Sequence, residues 1–359
     1  MRAESSRTRP PVRGRPRRAA RGLSLVELMI GLVIGLLVSM AALSSLRIFG
    51  NGQRQGAVAG GSLLGATAAL GAMRNDVAAA GLGFFDGRLP LCNRMNLSVG
   101  AGALMNGDAF SPLRVQRVTG NDRLDVFYAE DVASGANLPL ANANTGTSAE
   151  TLSTLPAVVG QAVLLSPAAT GLCTVRSVTG VTAGTVDTPQ LLTFANTGSH
   201  NQAAFTNAPA YAAQDRVTLL GTLRWQRYRV DGGNLLLEQP LTGASTILVR
   251  NVIGLRVEYG VSAAGGSTLA NWQDANDAGW GSLTAANIGQ VRALRLGLVL
   301  RLPQREKADA DGSCRASEAK PQLFGETIEP DVADWRCFRY RSSILVVPLR
   351  NLVWGQVPA

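Results

Sequence analysis

The longest apolar pattern in the chain lies near its N-terminus. Residues 28–46 form a run of 19 residues without a charged side chain. At about 1.5 Å per residue, a helix of this length spans roughly 28 Å, which is about the thickness of the hydrocarbon core of a bilayer. The run therefore predicts a membrane-spanning helix, to which we assign residues 23–47.

A second helical pattern follows this run. Apolar side chains recur at helical spacing at Leu63, Ala66, Leu70, Met73 and Val77. The spacing predicts an amphipathic helix over 62–80 that ends at Gly81. Several glycines lie between the two helical patterns, and each costs up to about 1 kcal/mol in a helix relative to alanine. Residues 48–80 are thus predicted to contain a kinked, frayed or flexible glycine-rich joint and then the amphipathic helix, with a plain linker as the alternative.

From residue 81 onward, the pattern changes to short β-type runs separated by turn residues. The predicted strands are 123–130, 158–165, 174–178, 190–194, 217–230, 234–238, 247–261, 291–302 and 342–349. Residues 231–234, with the sequence DGGN, accept positive φ and predict a tight hairpin turn. Residues 133–154 and 262–287 are rich in small and polar residues and predict long surface loops.

These elements predict an α+β fold. A long N-terminal helix, with a membrane half and an amphipathic half, packs on a β-rich, mainly antiparallel globular domain formed by residues 81–359. Two subdomains divided near residue 200 are the alternative.

The positive charge of the chain is concentrated in residues 1–22. The net charge is +9, and this leader holds eight arginines and one glutamate, which leaves 26 basic and 24 acidic residues in the remainder. Because positive residues beside an apolar segment stay in the cytoplasm, the leader places the chain after residue 46 outside the inner membrane. The nearly neutral remainder gives no electrostatic support for direct binding of nucleic acid.

One carboxylate, Glu27, lies at the start of the apolar run, where a charge is costly and commonly marks function. A basic leader that ends in Gly22, an apolar segment after it and Glu at the fifth position of that segment resemble the type III signal of type IV prepilins and pseudopilins. The resemblance implies that prepilin peptidase cuts between Gly22 and Leu23 and methylates the Leu23 amine. It also implies that Glu27 sets the register between neighbouring subunits by pairing with that amine.

The signal departs from the usual pattern in two respects. Leu23 stands where these proteins commonly have Phe, and the leader is long. A conventional secretory signal, cleaved near residues 39–45, is the alternative. Such signals usually have an apolar run of about 7–15 residues, which is shorter than the run in this chain.

Four further blocks resemble the PilW-type minor pilins of type IV pili. They are residues 72–87 (AMRNDVAAAGLGFFDG), the hairpin and strand at 222–261, VRALRLGLVLRLP at 291–303 and VVPLRNL at 346–352. The resemblance implies a low-abundance pilin, anchored in the inner membrane with its C-terminal domain in the periplasm and later placed at the pilus tip on the cell surface.

The same resemblance implies a role and partners. The role is participation in starting pilus assembly, and the partners are prepilin peptidase, other minor pilins, the major pilin and, as a further candidate, a large PilY-type tip adhesin. Pili of this kind serve cell adhesion, twitching motility or DNA uptake. A pseudopilin of the type II secretion system shares the N-terminal signal and is the nearest alternative.

The cysteines are Cys92, Cys173, Cys314 and Cys337. In a domain exported to an oxidising compartment they predict disulfides, and three pairings are open. Cys314 and Cys337 flank a polar loop, so their pairing closes a local loop and leaves Cys92 for Cys173. The tight C-x₂-C spacing that is typical of zinc sites is absent from the sequence, so we predict no metal site.

The sequence offers no catalytic constellation. His200 is the single histidine and lies in a polar loop without a nucleophile motif, so we predict a solvated side chain. Residues 309–313 have only part of a calcium loop and predict a turn. Trp272 and Trp280 are predicted either to contact a partner or to pack on the sheet. We therefore predict a protein that is not an enzyme and has no cofactor; a membrane-anchored periplasmic hydrolase or binding protein is the alternative.

Overall fold

The structure is a computed structural model that describes residues 25–351, except 87–88, 131–136, 145, 282 and 285, and it leaves out the side chains of 27–28 and 41–63. The chain divides into two compact units, Met1–Gly56 and Ala57–Ala359. The boundary lies within the glycine-rich segment rather than near residue 200.

The long α-helix of the described residues is α1 (Leu25–Ala79), and the backbone is also helical at Arg350 and Asn351. Its backbone is helical through residues 48–61, the segment for which a kinked, frayed or flexible joint is predicted from the sequence. No helix within the described residues is both long and apolar enough to cross a membrane. Leu23 and Ser24, the first residues of the predicted membrane segment, lie outside the described residues, so that segment stays a prediction.

The rest of the described chain is dominated by β-strands. Numbered β1 to β21 in chain order, they are Phe85–Asp86, Leu89–Pro90, Cys92–Val99, Gly102–Ala109, Leu113–Val118, Asn121–Glu130, Asn137–Pro139, Ser148–Thr151, Ala162–Ser166, Gly171–Ser177, Gly180–Thr182, Gln190–Thr193, Arg216–Asp231, Asn234–Gln239, Ala244–Arg250, Val252–Val261, Asn271–Asp274, Val291–Arg301, Gln322–Leu323, Glu326–Thr327 and Tyr340–Pro348. Two short 3₁₀ helices occupy Ile288–Gln290 and Trp335–Cys337.

Two sheets form most of the body. The larger has ten strands, with β15-β14-β13-β9-β10-β3-β4 as its main path and β5, β6 and β7 attached through β13. The long β13 pairs with β9 and β7 along its first half and with β6 and β14 along its second half. The smaller sheet has the order β17-β16-β18-β21. Among the strands described, only β3 and β10 pair in parallel, which confirms the predicted β-rich, mainly antiparallel body.

The predicted hairpin at residues 231–234 is present. Asp231 pairs with Asn234 across the turn, and Gly232 and Gly233 both have positive φ, at 53° and 73°. The predicted strand at 247–261 is instead two strands, β15 and β16, because Asn251 adopts a left-handed conformation with φ of 59°. That residue turns the chain from the larger sheet into the smaller one.

Both predicted surface loops contain short strands. The segment at 133–154 holds β7 and β8, and the segment at 262–287 holds β17. Their small and polar residues conceal pairing with neighbouring strands: β8 pairs with β12, and β17 pairs with β16.

The main hydrophobic core lies between the C-terminal part of α1 and the sheets. Its members on α1 are Ala66, Ala69, Leu70, Met73 and Val77, and Ala80 follows directly after the helix. They share the core with inward-facing residues of β16 and β18, such as Leu255 and Leu296. Four members of the predicted apolar stripe, Ala66, Leu70, Met73 and Val77, are thus buried, and the side chain of Leu63 lies outside the described part. The helix ends at Ala79, two residues before Gly81, which has φ of 83°.

Candidate processing and assembly sites

The residues predicted to act in processing are outside the reach of the structure. Gly22 and Leu23 lie outside the described residues. Glu27 belongs to α1, but its side chain is outside the described part. The predicted cleavage, methylation and register roles therefore remain predictions.

The four cysteines form two disulfides. Cys92 is bonded to Cys173, and Cys314 is bonded to Cys337. The first bond joins the neighbouring parallel strands β3 and β10, and both of its cysteines are buried. The second closes a segment of 23 residues just before β21. The predicted disulfides are confirmed. One bond links two neighbouring strands of the larger sheet, and the other closes the segment that precedes the last strand of the smaller sheet.

The structure brings together a junction between the last turns of α1 and the sheets, which we call the helix–sheet junction: residues 66–80 of α1 with β6, β13, β16 and β18. Met73 and Val77 are completely buried there. Burying an aliphatic side chain of this size contributes roughly 1.5–3 kcal/mol. The junction therefore fixes this part of the helix on the body as one packed unit.

A carboxylate sits inside this junction. Asp76, half-buried on α1, accepts hydrogen bonds from the hydroxyl groups of Tyr128 on β6, at 2.8 Å, and Tyr228 on β13. Tyr228 is completely buried, so its hydroxyl depends on this acceptor. Burial and the neighbouring carboxylate raise the pKa of Tyr128 to about 12. Burial likewise raises the pKa of Asp76 above its ordinary value of 3.8, although both tyrosine hydrogen bonds act in the opposite direction.

The raised pKa of Asp76 predicts a pH-dependent component of stability. The folded state holds the proton of this carboxyl more tightly than the unfolded state, so the contribution is fully present below the unfolded pKa of 3.8 and is lost as the pH rises through the folded pKa. Asp76→Asn should remove this component. Compared with Asp76→Asn, Asp76→Ala should lower the free energy of unfolding by about 1–3 kcal/mol, because the buried hydroxyl of Tyr228 loses its acceptor.

Urea unfolding of the full-length protein in detergent, at a series of pH values, measures both effects. Asp187→Asn is the matched control, since Asp187 is exposed on the surface. An Asp76→Asn protein with the same pH profile as the wild type, or an Ala variant no less stable than the Asn variant, would contradict the assignment.

The C-terminal end of α1 is capped from the other end of the chain. The side-chain amide of Asn351 donates to the carbonyl oxygens of Ala78, Ala79 and Ala80, at 3.3, 3.1 and 3.4 Å. The last carbonyl groups of a helix lack partners within the helix, and a donor from elsewhere satisfies them. The helix end is therefore held by the segment that follows β21.

Asp122, at the start of β6, connects the two sheets. Its side chain is completely buried and accepts hydrogen bonds from Arg117 Nε at 2.9 Å and Asn276 Nδ2 at 3.1 Å. Its second oxygen accepts the backbone N–H of Val257 on β16, at 2.8 Å. One buried carboxylate thus links a strand of the larger sheet to a strand of the smaller one.

Arg117 extends this contact into a network. Its guanidinium also bonds to Asp274 at 3.3 Å and to Glu326 at 3.1 Å. Glu326 in turn accepts from Arg256 of β16 at 2.7 Å. Burial disfavours the charge of Arg117, but these carboxylates outweigh it and raise the pKa of Arg117 above its usual value. We call this set the inter-sheet network.

A second buried carboxylate lies among aromatic rings. Asp125 of β6 accepts from Trp225 Nε1 at 2.8 Å, Arg227 Nε at 2.7 Å and Arg123 Nε at 3.1 Å. The indole of Trp225 stacks on Phe127, with ring centroids 4.6 Å apart. A cavity of about 380 Å³ adjoins this cluster. Its lining contains neither histidine nor cysteine, so it offers no imidazole or thiol for catalysis.

His200 is not solvated as predicted. Its side chain is half-buried, and Nδ1 lies 2.6 Å from the backbone carbonyl oxygen of Ser98 on β3. Burial lowers its pKa, although the Ser98 carbonyl acts in the opposite direction. The ring attaches its loop to the larger sheet, a contact between residues 102 positions apart that the polar loop sequence conceals.

The tryptophans and the partial calcium loop have structural partners. Trp272 lies 4.7 Å from the guanidinium of Arg295, and Trp280 packs 6.1 Å from the ring of Tyr259. Of the two predictions for these tryptophans, packing on the sheet is the one observed. Residues 309–313 form a turn, in which the N–H of Asp309 bonds to the carbonyl oxygen of Ser313. No group of three or more His, Cys, Asp or Glu side chains in the described part of the chain is placed to hold a metal ion.

Three structural carboxylates, Asp76, Asp122 and Asp125, are not predicted from the sequence pattern. Asp76 lies three positions after Met73, next to the apolar stripe, and Asp122 and Asp125 lie at the start and in the middle of the apolar strand β6. A carboxylate adjoining an apolar stripe is the signal that points to such a site.

Two segments of the chain are similar to known protein families. Residues 197–351 match the family model described as Type IV Pilus-assembly protein W, and residues 17–43 match the prokaryotic N-terminal methylation motif. Among solved structures, the chain is similar to a type IV-like pilin from Thermus thermophilus, with 10% identity and a TM-score of 0.33, over 80% of this chain and 95% of that one. No curated protein matches the chain.

Proposed function

We propose that the chain, which is similar to PilW-like type IV pilins and carries an N-terminal methylation motif, is a minor pilin that takes part in initiating pilus assembly, in a complex at the pilus tip. The observation that carries the proposal is the combination of a methylation signal at 17–43 with a PilW-type region at 197–351. The helix–sheet junction supports it, since strands of that region and the C-terminal part of α1 share one core.

Processing follows from the N-terminal signal. Prepilin peptidase cuts between Gly22 and Leu23 and methylates the Leu23 amine, and the basic leader stays in the cytoplasm. The mature chain is held in the inner membrane by residues 23–47 with its body in the periplasm, and it later moves into the pilus tip at the cell surface. Pilins of this kind act as structural subunits, so we assign the chain an assembly role rather than catalysis.

Glu27 gives the subunit its register. In an apolar filament core, its carboxylate pairs with the methylated amine of a neighbouring subunit, because a charge in such surroundings is strongly disfavoured without a partner. The neighbours are other minor pilins and the major pilin, and a PilY-type tip adhesin is a further partner. The disulfides suit this location, since both the periplasm and the cell surface are oxidising.

The proposal is tested by complementing cells that lack the chromosomal copy and have an active prepilin peptidase. The wild-type chain should restore surface pili and should begin at N-methylated Leu23 by mass spectrometry. Gly22→Val should keep the leader and restore no pili. Glu27→Gln should be cut and methylated normally but should fail to restore pili, because the register contact is lost.

Gly14→Val is the matched control, since it places the same substitution within the leader but away from the cleavage site. Cells without the chain that keep normal pili and lose protein secretion instead would identify a secretion pseudopilin. A mature chain that starts after residue 46 would contradict a pilin altogether.

A further inference from the structure

The last strand of the smaller sheet has a free edge. β21 pairs with β18 over nine consecutive residue pairs, from Pro348 opposite Ala293 to Tyr340 opposite Arg301, without a register shift. No other strand within the described ranges pairs with its opposite side. The edge therefore presents a regular row of backbone donors and acceptors, of the kind that recruits a further strand.

The middle of this edge lacks the features that usually protect an edge strand. Between Arg341 and Pro348, residues 342–347 contain no charged residue and no proline, and the pairing with β18 contains no bulge. Ile344 and Val346 point to the same face of the sheet and are 57% and 47% exposed. Natural proteins block free edges with charges, prolines or bulges, so a flat and apolar edge of this length indicates a pairing site.

Positive charge lies near the start of the strand and just beyond its end. Arg341 belongs to β21, whereas Arg350 follows Pro348 by two positions, where the backbone is helical. Both side chains are exposed, and neither forms an ion pair with a carboxylate in the part of the chain that the structure describes. Other arginines nearby are paired: Arg339 with Glu306 and Arg301 with Asp331. The edge thus combines an apolar centre with two cations that lack counter-charges, one at each end.

These charges select the occupant. Antiparallel pairing of two copies of β21 brings Arg341 of one copy towards the Arg350 that follows the strand of the other, and parallel pairing in register brings like residues together, so both arrangements place like charges close to each other. The chain's own residues 352–359 contain no Asp or Glu side chain. The complementary strand belongs to a different polypeptide and carries acidic residues.

We propose that the free edge of β21 binds a β-strand of another polypeptide, with alternating apolar residues at its centre and Asp or Glu at both ends, and that this strand extends the smaller sheet. Main-chain hydrogen bonds along the edge give affinity, and Ile344, Val346 and the two arginines give specificity. The proposal depends on the edge and its charges and holds independently of the pilus role.

Two synthetic peptides test the proposal on the full-length protein in detergent. One has the sequence EVTVTVTVE and the other KVTVTVTVK, both with blocked ends. The acidic peptide should bind about tenfold more tightly, since the basic peptide replaces two attractive ion pairs by two repulsive ones. It should also slow amide hydrogen exchange at residues 341–347, and the difference between the peptides should shrink with added salt.

Variants assign the effect to this edge. The double variant Arg341→Glu, Arg350→Glu should reverse the preference toward the basic peptide, and Ile344→Glu should weaken binding of the acidic peptide. Ile247→Glu is the matched control, because Ile247 is 42% exposed on β15, the edge strand of the larger sheet, within the similar sequence STILV. That variant should bind the acidic peptide like the wild type.

Several results would overturn the proposal. The first two are equal binding of the two peptides and protection from hydrogen exchange that does not include residues 341–347. The third is an unchanged peptide preference in the double charge-reversal variant when its melting temperature equals that of the wild type. The fourth is a loss of acidic-peptide binding in Ile247→Glu as large as that in Ile344→Glu. Dimerisation of the wild-type chain that protects the same residues without peptide would assign the edge to a second copy instead.

Discussion

Replacing Cys92 and Cys173 together with alanine should lower the free energy of unfolding by about 4–5 kcal/mol. This disulfide joins residues separated by 81 positions, so it removes more conformational entropy from the unfolded chain than a bond that closes a short loop. The bond also holds β3 beside β10, the one parallel pair among the described strands. Urea unfolding of the full-length oxidised protein in detergent, followed by tryptophan fluorescence, measures the change.

The second disulfide is the built-in control. Cys314 and Cys337 are separated by only 23 positions, and replacing both with alanine should cost about 3–4 kcal/mol by the same entropy relation. The larger loop should therefore give the larger loss. The reverse order would mean that local packing, rather than loop closure, determines the contribution of these bonds.

The other large effect is expected at the inter-sheet network. Asp122→Ala should destabilise the protein by about 1–3 kcal/mol, because the donors that bond to this buried carboxylate lose their acceptor, although Arg117 keeps Asp274 and Glu326 as partners. Here the loss also leaves the N–H of Val257 without its acceptor, and it breaks the direct link between β6 and β16. The same unfolding measurement applies, with hydrogen exchange at β16 as a local readout.

Asp274→Ala is the matched control for this variant. Asp274 contacts the same guanidinium of Arg117, at 3.3 Å, but its side chain is 23% exposed whereas that of Asp122 is fully buried. An ion pair open to water contributes about 0.2–1 kcal/mol, so this variant should lose far less stability. Equal losses would show that the burial of Asp122 is not what makes the network important.

The elements that sequence patterns predict well are those whose residues carry the pattern locally. The hairpin at 231–234 is determined by two consecutive glycines with positive φ, and the apolar stripe of α1 is determined by side chains a turn apart. Long apolar strands such as β13 and β18 are likewise evident, because both faces of these strands are largely covered. In each case the deciding interactions lie within a few residues of one another.

The elements that the sequence conceals depend on distant partners. β3 contains Asn96 and Ser98, which read as exposed positions and are in fact completely buried. The Nδ2 of Asn96 donates to the backbone carbonyl oxygen of Asn207 at 2.7 Å, a residue 111 positions away. Such a bond lowers the cost of burying the amino group of Asn96, but nothing near Asn96 in the sequence reveals it.

The same reasoning applies to the assembly sites. The prepilin signal is a continuous motif, so its candidate residues Gly22, Leu23 and Glu27 can be named from the sequence alone. Asp76 could not be assigned in that way, because its partners Tyr128 and Tyr228 lie 52 and 152 positions away. Whether a carboxylate has a structural role therefore depends on the side chains that distant strands place beside it.

The cap that Asn351 places on α1 has a consequence for the order of events during folding. The amide and the helix end that it closes are more than 270 positions apart, and β21 is the last strand among the described residues. Contacts between residues so far apart cannot form until the intervening chain is present. A chain that is synthesised only as far as β21 therefore has its first helix but no cap on the end of that helix. Closure of the helix end is thus among the last contacts that a growing chain can make.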